Sequence, residues 1–167
     1  MARISPLAVA GVALFGGLWL AGRARPLRRQ THDTATRQVR NIAMGAGTML
    51  VVTAIEMPLL TRLAKNNRHG LVQAIRLPRP LQIVLGVAAM DYAYYWWHIA
   101  THKVPFLWRF HRVHHIDPDM DMTTALRFHA VDMLVSLPFR VAQVLLTGAD
   151  PTILTAHRRF FDASVLF

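Results

Sequence analysis

The sequence predicts an all-α integral-membrane protein, with three to four membrane helices carrying a cytoplasm-facing histidine cluster. Three observations predict it. Of 167 residues, 53% are hydrophobic and only 17% charged, whereas a soluble domain carries about 25% charged residues. Apolar runs of membrane-spanning length recur along the chain. The basic residues, which give a formal charge of +10 and a pI near 11.5, flank those runs as membrane topology requires. They do not form the single stripe of a nucleic-acid binder, so no nucleic-acid partner is expected. The apolar content excludes disorder. The absence of cysteine excludes disulfides, thiolate metal sites and thiol catalysis.

The first run, residues 4–22, contains no charge. Only Arg3 precedes it, while Arg23, Arg25, Arg28 and Arg29 follow at once. A signal peptide carries its positive charge before the apolar run, so this one reads as an anchor whose C-terminal end stays inside. The second run, residues 41–64, holds Glu56, Pro58 and Arg62. It predicts a span that kinks near Pro58, or a shallow re-entrant segment. The basic stretch 65–80 reads as a connection whose Leu71, Val72, Ile75 and Leu77 lie on the membrane surface. The third run, residues 81–98, ends in Tyr92, Tyr94, Tyr95, Trp96 and Trp97. Such aromatics anchor a helix at the bilayer interface, and they deliver His98 to the water boundary. The fourth run, residues 131–147, includes Asp132, Pro138 and Arg140. It reads as a poorer, tilted span with Arg140 reaching for the interface. Residues 1–80 thus form an N-terminal anchor region, and residues 81–167 a second domain carrying the chemistry.

Six of the nine histidines lie between His98 and His129. His98 and His102 are four residues apart, one helical turn, which lets two imidazoles reach one metal ion. His111, His114 and His115 share a face in the same way. A turn at Lys103–Pro105 would bring all five together. No carboxylate lies between the ligands, so the zinc-protease arrangement with its general base is excluded. Five nitrogen donors exceed the appetite of one tetrahedral zinc, which favours two redox metals; zinc remains the alternative.

These residues have a familiar order. His98…His102 after Asp91-Tyr-Ala-Tyr-Tyr-Trp-Trp, then Leu107-Trp-Arg-Phe-His111-Arg-Val-His114-His115, then Arg127-Phe-His129, resemble the fatty acid hydroxylase / sterol desaturase superfamily, close to its bacterial members, from about Leu81 to Gly148. The resemblance implies an oxygen-dependent di-iron lipid hydroxylase or desaturase in lipid biosynthesis, within a bacterial cytoplasmic membrane. It implies a lipid substrate and a ferredoxin- or cytochrome-type electron donor. It implies His98, His102, His111, His114 and His115 as metal ligands, with His129 either a sixth or a residue that orients one. Asp91 and Asp132 are the carboxylates placed to orient ligand imidazoles, and Asp117, Asp119 and Asp121 read as loop and cap residues. Family members continue to a further histidine box that does not follow Gly148 here, so the sequence reads as a C-terminally truncated member. His157, beside Arg158 and Arg159, is expected to be exposed. A second copy of the chain completing the metal site, an inactive fragment with partial metal binding, and a non-redox zinc membrane protein are the competing expectations.

Overall fold

A computed structural model describes residues 6–26 and 31–166. The calls on Arg3, Ile4, Arg28 and Arg29 lie outside the described residues. Among the described residues there are helices and no strands: α1 (Pro6–Ala24), α2 (Thr34–Val51), a π turn (Val52–Glu56), α3 (Met57–Asn66), α4 (Leu71–Ala74), α5 (Arg79–Lys103), α6 (Pro105–His115), a 3-10 turn (Met122–Leu126), α7 (Ala130–Thr147) and α8 (Pro151–Leu166).

Proline and its neighbours set most of the boundaries. Pro58 has no N–H, and its ring clashes with the carbonyl four residues back. The helix answers with a π turn immediately before it, so its regular winding breaks near Pro58 as expected. Val104 precedes Pro105 and is pushed to extended geometry (φ −91°, ψ 116°). That corner ends α5, starts α6 and folds the two histidine helices side by side. α7 ends at Gly148, whose φ of +73° is left-handed, a conformation glycine adopts without Cβ strain. Asp150 then caps α8 through the backbone N–H groups of Thr152 (2.9 Å) and Ile153 (3.0 Å). α8 follows no apolar run, yet its Ile153 and Leu154 complete the core.

That core is small. Leu60, Val72, Met90, Val144, Ile153 and Leu154 meet where α3, α4, α5, α7 and α8 converge. Val72 therefore faces inward instead of lying on a membrane surface; Leu71 and Ile75 remain exposed. Large apolar side chains point outward instead: Val39, Leu50, Val84 and Leu146 are each more than 60% exposed. Arg37, Glu56 and Asp132 are meanwhile buried. Apolar outside and charged inside is the arrangement a bilayer selects. Among the described residues, the 34–74 stretch and α7 are long and apolar enough to cross a membrane. α7 is a continuous helix, and its Asp132 is buried. Arg140 does not reach the interface; it lies 3.5 Å from Glu56 and over the Tyr94 ring.

The bundle has two distinct ends. At one, the segment before α2 is clasped to the loop between α6 and α7. Asp119 accepts from Thr31 and His32, while Arg37 and Asn41 donate to Asp117. Arg127 bridges Val113 O to Asn41. At the other end, Asn67 donates to the carbonyls of Val144 and Leu145, Gln73 to that of Gly148, and Arg79 pairs with Asp150. The α2–α3 rod thus runs from one end to the other.

Candidate metal centre and adjoining cavity

The α5–α6 corner brings His98, His102, His111 and His115 together. Each offers a ring nitrogen, and the four nitrogens lie within 4.8 Å of one another. Nε2 of His98 is 3.2 Å from Nε2 of His102, and Nε2 of His111 is 3.2 Å from Nε2 of His115. Nitrogens sharing one tetrahedral ion at about 2.0–2.1 Å stand about 3.3 Å apart. Two of the pairs already stand at that spacing, and the whole set of four lies within 4.8 Å. The carboxylate of Asp132, from α7, accepts from Nδ1 of His111 at 3.4 Å. That contact favours the tautomer with the proton on Nδ1, whose Nε2 lone pair is open to a metal. Asp132 thus lies beside the His111 ring.

The remaining predicted residues fall around this group. His114 stacks on Phe128 at 4.4 Å, and its Nδ1 is buried without a hydrogen-bond partner. Burial first, then the neighbouring His115 and His111, push the His114 pKa down to about 4. Burial and His111 likewise lower that of His115. These shifts favour the neutral rings that ligation requires. His129 lies outside the four; its Nδ1 caps α7 by accepting from Val131 N at 3.1 Å, which leaves Nε2 uncommitted. Asp91 is half-buried on α5 and lies within electrostatic reach of His157. Asp121 caps the 3-10 turn through Thr123 N, as its loop-and-cap reading implied, but Asp117 and Asp119 are buried in the clasp.

His157 is not the exposed residue its arginine neighbours suggested: it is 5% exposed. Its helix packs on α5 and turns the ring inward, stacking it near Phe161. The aromatic cluster divides. Tyr92, Tyr95 and Trp96 are exposed, in keeping with interface anchors. Tyr94 packs on Phe161 at 4.8 Å and lines a cavity of about 350 Å³. Met49, Val52, Leu126, Phe128 and Met133 give that cavity apolar walls, and Glu56, Arg140 and His157 give it a polar side. Tyr94, Phe128, Met133 and Arg140 also wall the small space beside His98 and His111, so the cavity adjoins the histidine group. Sequence reasoning missed this polar side. Its signal was two charges, Glu56 and Arg140, inside apolar runs, where ionisable residues mark function by default.

Comparison with known proteins agrees with this geometry. The family model described as fatty acid hydroxylase matches residues 83–165. The ornithine lipid hydroxylase OlsE of Rhizobium tropici is 27% identical over 149 residues, 84% of this chain and 43% of that protein. Human alkylglycerol monooxygenase is 31% identical over 71 residues, 42% of this chain and 16% of that protein. The Xenopus tropicalis alkylglycerol monooxygenase is 45% identical over 38 residues, 23% of this chain and 8% of that protein. The chain spans less than half the length of these curated relatives. No solved structure matches it.

Proposed function

The chain belongs to the fatty acid hydroxylase superfamily, and from that premise we propose that it is a membrane lipid hydroxylase whose histidine cluster holds iron. The observation that carries the reading is the convergence of four imidazole nitrogens beside an apolar cavity. Bound there, iron would supply the redox chemistry with oxygen that no side chain of this cysteine-free protein can perform and that zinc lacks. His98, His102, His111 and His115 would hold one ion. His114, with its unpartnered Nδ1, and His129, with its free Nε2, are the next donors for a second. A second copy of the chain is a further source of ligands.

The protein's own residues do the rest. Asp132 fixes the His111 ring and its tautomer. Tyr94, Phe128 and Met133 keep the substrate path apolar and limit water beside the ligands. Oxygen insertion also consumes two electrons. Lys103, Arg109 and Arg112 are exposed on the α5–α6 corner, a basic surface for an acidic ferredoxin- or cytochrome-type donor.

Elemental analysis of detergent-purified protein, grown with sufficient iron, tests this. The expected result is about two irons per chain. Replacing His98, His102, His111 or His115 by Ala should each remove most of that metal. His69→Ala, on the exposed far connection, should leave it intact. One stoichiometric zinc in place of iron favours the non-redox reading, which a four-imidazole set can also satisfy. Equal metal in all variants removes the assignment.

A further inference from the structure

We infer that the outward face of the α2–α3 rod at Pro58 is a binding site for one anionic phospholipid, its phosphodiester held by Arg62 and Lys65 and its acyl chain laid over Met57 and Pro58. The inference rests on the rod crossing the bilayer. It is independent of the metal and of the hydroxylase reading.

The π turn presents two faces. Val52 and Glu56 turn inward, to the cavity beside the histidines. Thr53, Met57, Pro58 and Thr61 line a separate groove of about 480 Å³ that ends at Arg62 and Lys65. That volume is in the range of ligand sites. Residues three and four apart share a helix face, so Thr53, Met57 and Thr61 form one wall, and Pro58, Arg62 and Lys65 the other. The Thr53 hydroxyl donates to Met49 O at 2.8 Å, so its end of the groove asks for no polar partner. One end is therefore apolar and the other cationic. About 18 Å of helix separates Thr53 from Lys65, and half of a bilayer's hydrocarbon is about 15 Å thick. With Arg62 and Lys65 at the headgroups, Thr53 lies near the bilayer middle. A lipid in the same leaflet spans the same interval, with its phosphate at one end and its chain at the other.

Charge selects the lipid. Arg62, Lys65, Arg68 and Arg76 are exposed at this end of the bundle. Among the described residues none of them pairs with a carboxylate: Asp150 is taken by Arg79 at 2.5 Å, and Glu56 is buried on the inward side. Basic residues at the end away from the histidines run against the bias that gathers positive charge on the cytoplasmic side. Their charge needs a counter-charge that the protein does not supply, and in a bilayer the nearest is lipid phosphate. Arg62 and Lys65 stand one turn apart, close enough to share one phosphate. A headgroup that adds an ammonium is repelled by the same cations. A phosphodiester with net negative charge therefore fits better than a zwitterionic one. Arg68 and Arg76 carry the same charge but lie outside the groove.

The test is native mass spectrometry of the full chain in detergent, titrated with phosphatidylglycerol and with phosphatidylcholine of identical chains. Two basic residues at an anionic membrane surface weigh about thirtyfold in binding. Phosphatidylglycerol should therefore be retained, one per chain, at least about tenfold more tightly than phosphatidylcholine. Arg62→Gln combined with Lys65→Gln should bring it down to the phosphatidylcholine level. Arg68→Gln combined with Arg76→Gln removes the same charge outside the groove and should change it less than about threefold. Met57→Trp, which fills the groove, should weaken phosphatidylglycerol with every charge in place. All variants should keep the parent's helical circular dichroism. The chainless headgroup, glycerophosphoglycerol, should not displace the lipid at roughly a hundredfold excess. Equal retention of the two lipids overturns the inference. So does equal weakening by the two charge pairs, which means diffuse adsorption to a basic surface. Displacement by the chainless headgroup overturns it too, because the site then reads a phosphate ester and not a lipid. No metal enters the assay, so the hydroxylase reading stands or falls separately, on the iron content of the same protein.

Discussion

Asp119 ties the segment before α2 to the loop after α6 with three hydrogen bonds, from Thr31 N (3.0 Å), Thr31 Oγ1 (2.7 Å) and His32 N (2.8 Å). The Thr31 hydroxyl first, then the backbone N–H groups, hold its carboxyl at about 2, below the ordinary aspartate value of about 3.9. A depressed folded-state pKa means stabilisation that is full above the unfolded value and is lost as pH falls through the folded one. Thermal stability in detergent should therefore fall between about pH 4 and pH 2. Asp119→Asn should be less stable than the parent at pH 7 and should lose less across that window. Identical acid slopes in the two proteins would refute the role. The sequence placed Asp117, Asp119 and Asp121 correctly in a loop. It did not reveal that Arg37 and Asn41 bury against that loop, because they lie 80 and 76 positions from Asp117 and no local spacing encodes them. The convergence of His98, His102, His111 and His115 was legible for the opposite reason: it follows from one-turn spacing on two helices joined by a proline corner.

At the scale of elements, two glycines separate close packing from open surface. A Cβ at Gly86 on α5 would stand 2.7 Å from Cγ2 of Ile153 on α8. That approach lets α8 reach the core and turn His157 toward the cavity. Gly86→Leu should destabilise the protein by about 1–3 kcal/mol through overpacking, seen as a lower unfolding temperature. Gly47 on α2 has nothing within 4 Å of its would-be Cβ, so Gly47→Ala should be neutral or gain about 0.5–1 kcal/mol from helix propensity. If both substitutions shift the unfolding temperature equally, the close α5–α8 packing is wrong. The apolar runs announced α1, α2–α3, α5 and α7, and Pro58 announced the break. α8 was illegible because Arg158, Arg159 and Asp162 dilute its apolar face. Arg140 was misread because a charge in an apolar run can be met from within, here by Glu56, as well as by reaching for water.

The whole molecule determines which side of the membrane the chemistry faces. The histidine group shares its end of the bundle with the clasp, and so with Arg23, Arg25, Arg37, Arg40, Lys103, Arg109, Arg112 and Arg127. The far end, where Asn67, Gln73 and Arg79 tie to the C-terminus of α7 and the start of α8, carries Arg62, Lys65, Arg68, Arg76 and Arg79. Read as a sequence, the basic stretch 65–80 argued against an outward-facing connection and left a re-entrant second segment open. The end-to-end run of the α2–α3 rod favours a full crossing. Among the described residues, basic side chains at the two ends thus lean toward the histidine end, and the positive-inside rule predicts that this end faces the cytoplasm. The chain has no cysteine, so single reporters are clean. Lys103→Cys, beside His102, should resist a membrane-impermeant maleimide in intact bacterial cells and react once the membrane is opened. Arg68→Cys should react in intact cells. Labelling of Lys103→Cys from outside would reverse the orientation, and would require an electron donor on the outer face of the membrane.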